Sequence, residues 1–375
     1  MVTHMTQVFE THRARIAAML LASAVLWGCQ EQPTEPAAGT VDARAAAGPF
    51  TVVDLGTLDG DYSEAFDINP RGQVVGTSSS ARGVRAFLWE NGIMTDLGTL
   101  GGCCSEAVAI NPAGQVVGQS ITASGGYGAF LWEKGVMTDL GVLGTDPFSV
   151  AEDINPRGQV VGWSSTANGE IHAFLWEGGV MTDLGTLGGL PPGLGGSQAL
   201  AINPRGQVVG SSTTASGDYH AFLWEKGIMT DLGILGTGPF GFGSSTAWDI
   251  NPRGQVVGSS TTPASEGDHA FLWEKGVMTD LGTLTGDQGS GSIALGINPR
   301  GQVVGTSSSA TGPARGFLWE KGVMIDLGTL GPDYKNSDAR AINSGGDVVG
   351  SSITADPEDP TYRATLWSRK KTANR

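Results

Sequence analysis

The sequence predicts an all-β protein, a seven-bladed β-propeller of four-stranded blades. Three short motifs recur seven times each along the 375 residues, and their repeat length of about 45 residues is that of one propeller blade. The composition agrees, with 59 glycines and only 16% charged residues. Small and β-branched residues with frequent glycine suit pleated strands and tight turns better than helices.

The first motif, I-N-P-R-G-Q-V-V-G, predicts a tight hairpin followed by a buried strand. Its proline presets the second position of a type I turn, and the glycine suits the left-handed position after it. The paired valines bring apolar side chains to both faces of a sheet, as stacking between neighbouring blades requires. The asparagine of this motif stands at positions 69, 111, 155, 203, 251, 298 and 343, the last copy having drifted to I-N-S-G-G-D-V-V-G.

The other two motifs belong to the outer half of each blade. A-F-L-W-E places tryptophans at 89, 132, 176, 224, 273, 319 and 367, and T-D-L-G-T-L places aspartates at 54, 96, 139, 183, 231, 280 and 326. We expect the tryptophan to pack between blades, the aspartate to accept turn amides and the asparagine to begin the turn. The first complete unit should contain strands a to d at Glu64–Asn69, Gln73–Ser79, Arg85–Glu90 and Ile93–Leu100.

The order of the motifs predicts how the ring closes. The repeat region opens with a single d strand, Phe50–Leu58, and ends after single a, b and c strands near Trp367. An N-terminal strand that completes the last blade removes the free edges. The alternative, an open β-solenoid, needs caps at both ends that the sequence lacks. We therefore assign residues 50–368 to the propeller and 369–375 to a basic C-terminal tail.

The N-terminal segment predicts export. Arg13 and Arg15 precede an apolar run, Ile16–Trp27, that is too short to span a bilayer as a permanent helix. The run leads into L-W-G-C at Cys29, which resembles the bacterial lipoprotein signal, although Trp27 stands where a small residue is usual. Acylation of Cys29 predicts a signal peptide at 1–28, a flexible tether at 29–49 and an envelope lipoprotein of the outer membrane or cell surface. Ordinary cleavage near residues 22–24 is the alternative.

Together the motifs resemble the HAF-repeat family of extracellular bacterial proteins. The resemblance covers nearly all of residues 50–368 and includes His before A-F at His172, His220 and His269. It implies export and repetition, but the family offers no established activity and no catalytic residues. The other four units depart from the pattern, which argues against a histidine function shared by all blades: they have Arg85, Gly128, Arg315 and Arg363.

The formal charge of −15 at pH 7 limits the partners. Such an acidic chain should be repelled by nucleic acid and by anionic membranes. We therefore expect no nucleic-acid binding and membrane contact only through the lipid anchor. We also expect a monomer, and no motif requires a cofactor.

No motif singles out a catalytic or metal site. The three histidines fall on the third strands of neighbouring blades, roughly 13 Å apart, which is too far for shared zinc ligation, so we predict local structural roles. The recurrent serines lack a G-x-S-x-G elbow, and no two carboxylates stand out as a glycosidase pair. Cys103 and Cys104 either form a vicinal disulfide or remain thiols.

The two ends of the propeller should differ. The a-to-b and c-to-d turns, at what we call the uniform end, are nearly constant and rich in Arg and Lys. The b-to-c and d-to-a loops, at the variable end, differ in length and are acidic. Aromatic rings with polar tips suit recognition surfaces. We predict ligand binding by the aromatic residues of the variable-end loops: Tyr62, Tyr127, Tyr219, Tyr334, Tyr362, Phe148, Phe240 and Phe242.

These observations favour a non-enzymatic binding protein that recognises a glycan, a peptide or an envelope partner through the variable end. The alternative is an extracytoplasmic hydrolase or lyase that acts on polysaccharide at the same end, since propellers also carry enzymes. Unique buried polar residues on one blade would favour the enzyme, but the asymmetries visible in the sequence are loop insertions of Phe, Tyr and Gly. A purely structural surface protein is a third possibility.

Overall fold

A computed structural model of the chain describes residues 49–188, 195–238, 241–263, 267–286, 290–308, 312–354 and 361–370. The predicted signal peptide, the lipidation site Cys29, the tether up to residue 48 and Phe240 lie outside the described residues. The described part contains 28 strands, arranged as seven four-stranded antiparallel sheets. None of it forms a helix long and apolar enough to cross a membrane. The predicted seven-bladed propeller is confirmed.

Each of the first three blades is continuous in sequence. Blade 1 contains β2 (Ser63–Ile68), β3 (Val74–Ser80), β4 (Gly83–Glu90) and β5 (Ile93–Asp96). Blade 2 contains β6 (Gly101–Ile110), β7 (Val116–Thr122), β8 (Tyr127–Glu133) and β9 (Val136–Asp139). Blade 3 contains β10 (Ser149–Ile154), β11 (Val160–Ser165), β12 (Ile171–Glu177) and β13 (Val180–Asp183).

The next three blades repeat this plan. Blade 4 contains β14 (Ser197–Ile202), β15 (Val208–Thr213), β16 (Tyr219–Glu225) and β17 (Ile228–Asp231). Blade 5 contains β18 (Ser245–Ile250), β19 (Val256–Ser260), β20 (His269–Glu274) and β21 (Val277–Asp280). Blade 6 contains β22 (Gly291–Ile297), β23 (Val303–Ser308), β24 (Arg315–Glu320) and β25 (Val323–Asp326).

Blade 7 combines the two ends of the chain. It contains β26 (Tyr334–Ile342), β27 (Val348–Thr354), β28 (Tyr362–Arg369) and, as its outer strand, β1 (Phe50–Asp54). The strand β1 pairs antiparallel with β28, from Phe50 opposite Arg369 to Asp54 opposite Thr365. This is the predicted closure of the ring, although β28 extends to Arg369, one residue into the predicted tail.

Strand a of each blade is innermost, because the a strands of neighbouring blades contact one another around the whole ring. The outer d strands are shorter than predicted. In blade 1 the strand ends at Asp96 rather than Leu100, because the Asp96 carboxylate accepts a hydrogen bond from the amide of Gly98 at 2.8 Å. The φ of Gly98 is +83°, which turns the chain away from the ladder.

The hydrophobic core consists of layers between adjacent blades. Val74 packs with the residues of blade 7 and Val75 with those of blade 2, so the paired valines face opposite neighbours as their pattern predicts. The fully buried aromatic side chain is the phenylalanine of F-L-W, for example Phe174, whereas Trp176 is partly exposed at the rim of its layer. The tryptophan is therefore a secondary core residue, except for the fully buried Trp367 of blade 7.

Candidate functional site

The recurring aspartates, histidines and serines hold the blades together. In all seven copies the T-D-L aspartate accepts a hydrogen bond from the glycine amide two residues later. Nδ1 of His172 lies 2.8 Å from the carboxylate of Asp183, which raises the pKa of His172, and His220 and His269 make the same contact within their own blades. The described residues contain no group of three or more His, Cys, Asp or Glu placed to hold a metal ion.

Two recurring serines form hydrogen bonds between the blades and their connecting loops. The hydroxyl of Ser105, in strand a of blade 2, accepts from the amide of Ala86 on the previous blade and donates to the carbonyl of Gly98. The serine of strand b, Ser120 in blade 2, accepts from the amide of Leu100 in the preceding loop, a contact repeated in every blade. Both contacts stabilise the d-to-a connection between blades.

The asparagines form a closed ring of hydrogen bonds at the uniform end. In each of the seven turns the side-chain oxygen caps its own turn; Asn69 Oδ1 accepts from the amides of Arg71 and Gln73. Its Nδ2 donates to the backbone carbonyl of Asn111 in the next blade at 3.2 Å. The same inter-blade bond continues through every blade and returns from Asn343 to Asn69.

Three further carboxylates, on alternate blades, join neighbouring a strands. Asp67 accepts from the amide of Ile68 and, across the blade interface, from the amide of Ile110 at 2.8 Å. Asp153 and Asp249 make equivalent bonds to blades 4 and 6. Burial raises the pKa of Asp67 to about 6, that of Asp249 to about 7 and that of Asp153 well above its ordinary value. The inner surface of the ring is therefore acidic.

The predicted aromatic residues divide into separate groups. The rings of Tyr62 and Tyr362 lie 5.7 Å apart between blades 1 and 7. The ring of Phe148 lies 5.9 Å from that of Tyr127 and 5.1 Å from that of Trp163.

The remaining predicted residues join neither group in the contacts that the structure describes. Tyr219 and Tyr334 are half-buried at the starts of their strands, while Phe242 is 67% exposed. The predicted residues that the structure describes therefore do not all join one group of ring contacts.

A clear departure from sevenfold symmetry lies on the innermost strands. Strand a follows the pattern S-x-A-x-x-I-N, and no two blades have the same pair of residues on either side of the alanine. Blades 7, 1, 2 and 3 place charged residues there, and register brings Gln119 of strand b beside Glu106. We call these residues the axial cluster: Glu64, Glu106, Gln119, Glu152, Asp338 and Arg340.

Arg340 is the cationic centre of the axial cluster. Its Nε lies 3.0 Å from a carboxylate oxygen of Asp338 on the same strand, and its Nη2 lies 3.1 Å from Glu64 of blade 1. The guanidinium also stands 4.7 Å from the ring centroid of Phe66, within the range of a cation–π contact. Glu64 is 1% exposed, so this ion pair compensates a buried carboxylate.

Glu106 lacks such compensation. Burial and the nearby charges of Glu64 and Glu152 raise the pKa of Glu106 to about 7, although Arg340 opposes the shift. Gln119 donates through Nε2 to Glu106 at 3.4 Å. Its Oε1 is buried and has no hydrogen-bond partner among the described residues, and the whole residue is only 6% exposed. A buried acceptor without a donor costs about 1–3 kcal/mol, so this part of the axial cluster is built at the expense of stability.

Both aromatic groups flank the axial cluster. Trp163 donates through Nε1 to Glu152 at 2.8 Å, which connects the Phe148 group to the cluster. Tyr62 interacts with Glu64, and burial with this neighbouring charge raises the pKa of Tyr62. Because strand a starts at the variable end, these contacts place the cluster at that end of the propeller axis.

The opposite sector of the ring is uncharged and mainly apolar at the corresponding positions. In blades 4 to 6 they hold Gln198, Leu200, Thr246, Trp248, Ile293 and Leu295, of which Ile293 is 38% exposed. The inner wall therefore combines an acidic sector with an uncharged, mainly apolar one. Sequence reasoning missed this site because it concentrated on residues that every unit shares, while the informative signal was the pair of variable positions within a constant strand.

The two cysteines lie on β6 near the variable end. Cys103 is exposed and Cys104 is buried, both are thiols, and their sulfur atoms are 2.8 Å apart. Burial and the adjacent Cys103 raise the pKa of Cys104 to about 11, so this thiol is a weak nucleophile at neutral pH.

Comparison with known proteins supports the fold. The chain matches none of the protein families compared with it and none of the curated proteins. It is similar to the β-propeller domain of the Trilobed protease from Pyrococcus furiosus, with 11% identity, a TM-score of 0.53, and coverage of 82% of this chain and 96% of that one. That domain has an open velcro topology, whereas here β1 pairs with β28.

Two other solved structures are less similar. A puromycin-hydrolyzing peptidase from Mycobacterium tuberculosis is 12% identical, with a TM-score of 0.49 and coverage of 84% of this chain and 57% of that one. TolB from Acinetobacter baumannii is 13% identical, with a TM-score of 0.42 and coverage of 83% and 65%. Identities this low concern the fold alone.

Proposed function

We propose that the chain is an exported, lipid-anchored member of the HAF-repeat proteins that binds a glycan, a peptide or an envelope partner without catalysis. The ligand enters from the variable end and contacts the axial cluster. The observation that carries this proposal is the buried Oε1 of Gln119, which has no hydrogen-bond partner among the described residues. Three other buried side-chain atoms of the described residues also lack a partner: Arg85 Nε, Ser351 Oγ and Trp367 Nε1. Gln119 Oε1 carries the proposal because it lies in the residue that donates to Glu106, a carboxylate that forms no ion pair in the part of the chain that the structure describes. A cationic or hydroxyl donor from a ligand can therefore satisfy both groups.

Binding is tested by screening the full chain against glycans and envelope proteins. Any ligand found is then measured with Glu106→Gln and Gln119→Leu, and each should weaken binding about tenfold or more, because charged and buried hydrogen bonds contribute about 1.5–3 kcal/mol. Glu177→Gln is the matched control, since Glu177 is exposed at the uniform end. If Phe242→Ala weakens binding while Glu106→Gln and Gln119→Leu leave the affinity unchanged, the ligand is recognised by the outer loops and not by the axial cluster.

The anchor is tested separately. Cys29→Ser should release the protein from membranes or block its maturation, because acylation needs the cysteine thiol. Gln30 resembles the residue that directs such lipoproteins to an outer membrane in Gram-negative cells. Unchanged membrane partitioning of Cys29→Ser contradicts the lipoprotein assignment.

The second candidate function is an extracytoplasmic hydrolase or lyase. The observation in its favour is that two neighbouring carboxyls have different environments: Glu64 is ion-paired with Arg340, while the pKa of Glu106 is raised to about 7. Such a pair suits acid–base catalysis. Turnover of a polysaccharide that Glu106→Gln abolishes without loss of binding would establish the enzyme; binding without turnover favours the first candidate.

A further inference from the structure

We propose that the group recognised by the axial cluster is a guanidinium or ammonium, carried by the basic side chain of a peptide whose apolar neighbours contact blades 4 to 6. This inference rests on the proposed binding function and names its ligand class. It follows from the charge, the unmatched acceptor and the mainly apolar sector of the inner wall.

The axial cluster has an excess of negative charge. The axial cluster contains four carboxylates and one guanidinium, and Arg340 is already engaged by both Asp338 and Glu64. Glu106 and Glu152 have no ion-pair partner among the described residues. Deeper along the axis lie Asp67, Asp153 and Asp249, where burial and the charge of Asp67 raise the pKa of both Asp153 and Asp249, and the charge of Asp249 also raises the pKa of Asp153. A cationic ligand lowers the energy of all these groups, whereas an anion is repelled.

The axial cluster also presents several hydrogen-bond acceptors. Gln119 Oε1 and the carboxylates of Glu106 and Glu152 are acceptors, so the ligand must bring several donors. A guanidinium offers five N–H donors and an ammonium three, each combined with positive charge. A neutral sugar hydroxyl can donate to Gln119 but leaves the carboxylates uncompensated. Direct metal coordination does not match, since no three His, Cys, Asp or Glu side chains of the described residues converge on one point.

The wall opposite the axial cluster is uncharged and mainly apolar. Leu200, Trp248 and Leu295 lie on the innermost strands of blades 4 to 6, with Gln198 and Thr246 as the polar residues at the neighbouring positions. A ligand that fills the ring therefore also meets leucine and tryptophan side chains. A basic side chain between apolar residues presents a cation and apolar groups from one short segment. An amino sugar carries the cation but surrounds it with hydroxyl groups, which match the leucines and the tryptophan poorly.

The ionisation of Glu106 makes the binding of a cation depend on pH. The groups that face Glu106 are Glu64 on β2, Glu152 on β10, Arg340 on β26 and Gln119 on β7. Its pKa of about 7 means that Glu106 gains a proton below neutral pH. Cation binding requires the ionised form, so affinity should fall between pH 8 and pH 6.

The test uses two peptides with the full chain: acetyl-Leu-Arg-Leu-amide, and the same peptide with citrulline, a neutral isostere, in place of arginine. Calorimetry at pH 8 should show binding of the arginine peptide and at least about tenfold weaker binding of the citrulline peptide. Glu106→Gln and Glu152→Gln should each weaken arginine-peptide binding about tenfold, while Glu106→Asp, which keeps the charge, weakens it less. Glu177→Gln should bind like the parent, and melting curves confirm that every variant is folded.

The outcomes separate the two proposals. Equal binding of both peptides overturns the cation inference. If neither peptide binds but a neutral glycan does, in a manner that Gln119→Leu abolishes, the axial binding function stands and the cation inference falls. If a glucosamine oligosaccharide binds and the arginine peptide does not, the peptide part is wrong. If no ligand of any kind depends on the axial residues, both proposals fail.

Discussion

The side-chain amide of Asn343 in blade 7 donates to the backbone carbonyl of Asn69 in blade 1 at 3.5 Å. This contact closes a ring of hydrogen bonds that passes through all seven blades. Every other member of the ring makes the same bond at 3.2 Å. The longest bond is at the junction where the repeat sequence has drifted to I-N-S-G-G-D. The turn motif therefore also serves as the inter-blade fastening.

The ring predicts that one asparagine stabilises two blades. Asn155→Ala removes the caps on the amides of Arg157 and Gln159 and the bond to Asn203, and should lower the free energy of unfolding by about 2–4 kcal/mol. Asn155→Asp retains the acceptor that caps the turn but loses the Nδ2 donor, so it should lose only the bonds to Asn203 of the next blade and to Gln159 Oε1. Thermal and denaturant unfolding measure both. If Asn155→Ala unfolds like the parent, the ring contributes nothing to stability.

Ring closure gives the second prediction. A chain that begins at residue 59 lacks β1, which exposes the edge of β28 and removes Phe50 and Val52 from the layer that contains Trp367. A chain that begins at residue 49 is the matched control. The shorter chain should melt at a much lower temperature and be cleaved faster by protease, because an unpaired strand and an apolar layer become accessible. Equal melting of the two chains contradicts closure by β1.

Phe148 and Phe242 provide the third prediction, since both were predicted as ligand-binding residues yet differ in environment. Phe148 packs between Tyr127 and Trp163, so Phe148→Ala should destabilise the protein by roughly 3 kcal/mol. Phe242 is 67% exposed, and Phe242→Ala should leave the melting temperature unchanged. Paired melting curves decide, and a stability loss in Phe242→Ala would show that this side chain packs against the loops.

Much of the fold follows from the sequence because propeller blades are local units whose turn and core residues must recur. The glycine of each hairpin and the paired valines therefore identified the blades and their neighbours. The axial cluster could not be predicted from recurring residues. Glu64 and Arg340 are 276 residues apart and meet only because the ring closes. Arginine occurs at the Arg340 position of no other blade, and glutamate recurs at the Glu64 position only in blade 2, as Glu106. The partial exposure of Trp176 could not be predicted either, because it arises from packing: Phe174 is fully buried in the layer between the blades, and Trp176 lies against the edge of that layer.

The acidic inner wall gives the last prediction, which concerns stability and pH. The folded-state pKa is about 6 for Asp67 and about 7 for Glu106 and Asp249, above the ordinary values near 4 of the unfolded chain. Between pH 4 and pH 7 the folded state therefore binds more protons than the unfolded state, and stability must fall as pH rises through this window. The raised pKa of His172 acts in the same direction, whereas the lowered pKa values of Asp183 and Glu320 have their effect at more acidic pH.

The melting temperature should accordingly be higher at pH 5 than at pH 8. Glu106→Gln removes one of the titrating groups while keeping its shape, so this variant should melt above the parent at pH 8 and show a smaller change between the two pH values. Glu177→Gln, which alters an exposed carboxylate of the uniform end, should follow the parent at both. A melting temperature of the parent protein that rises from pH 5 to pH 8 would contradict the raised pKa values of these carboxylates in the folded state.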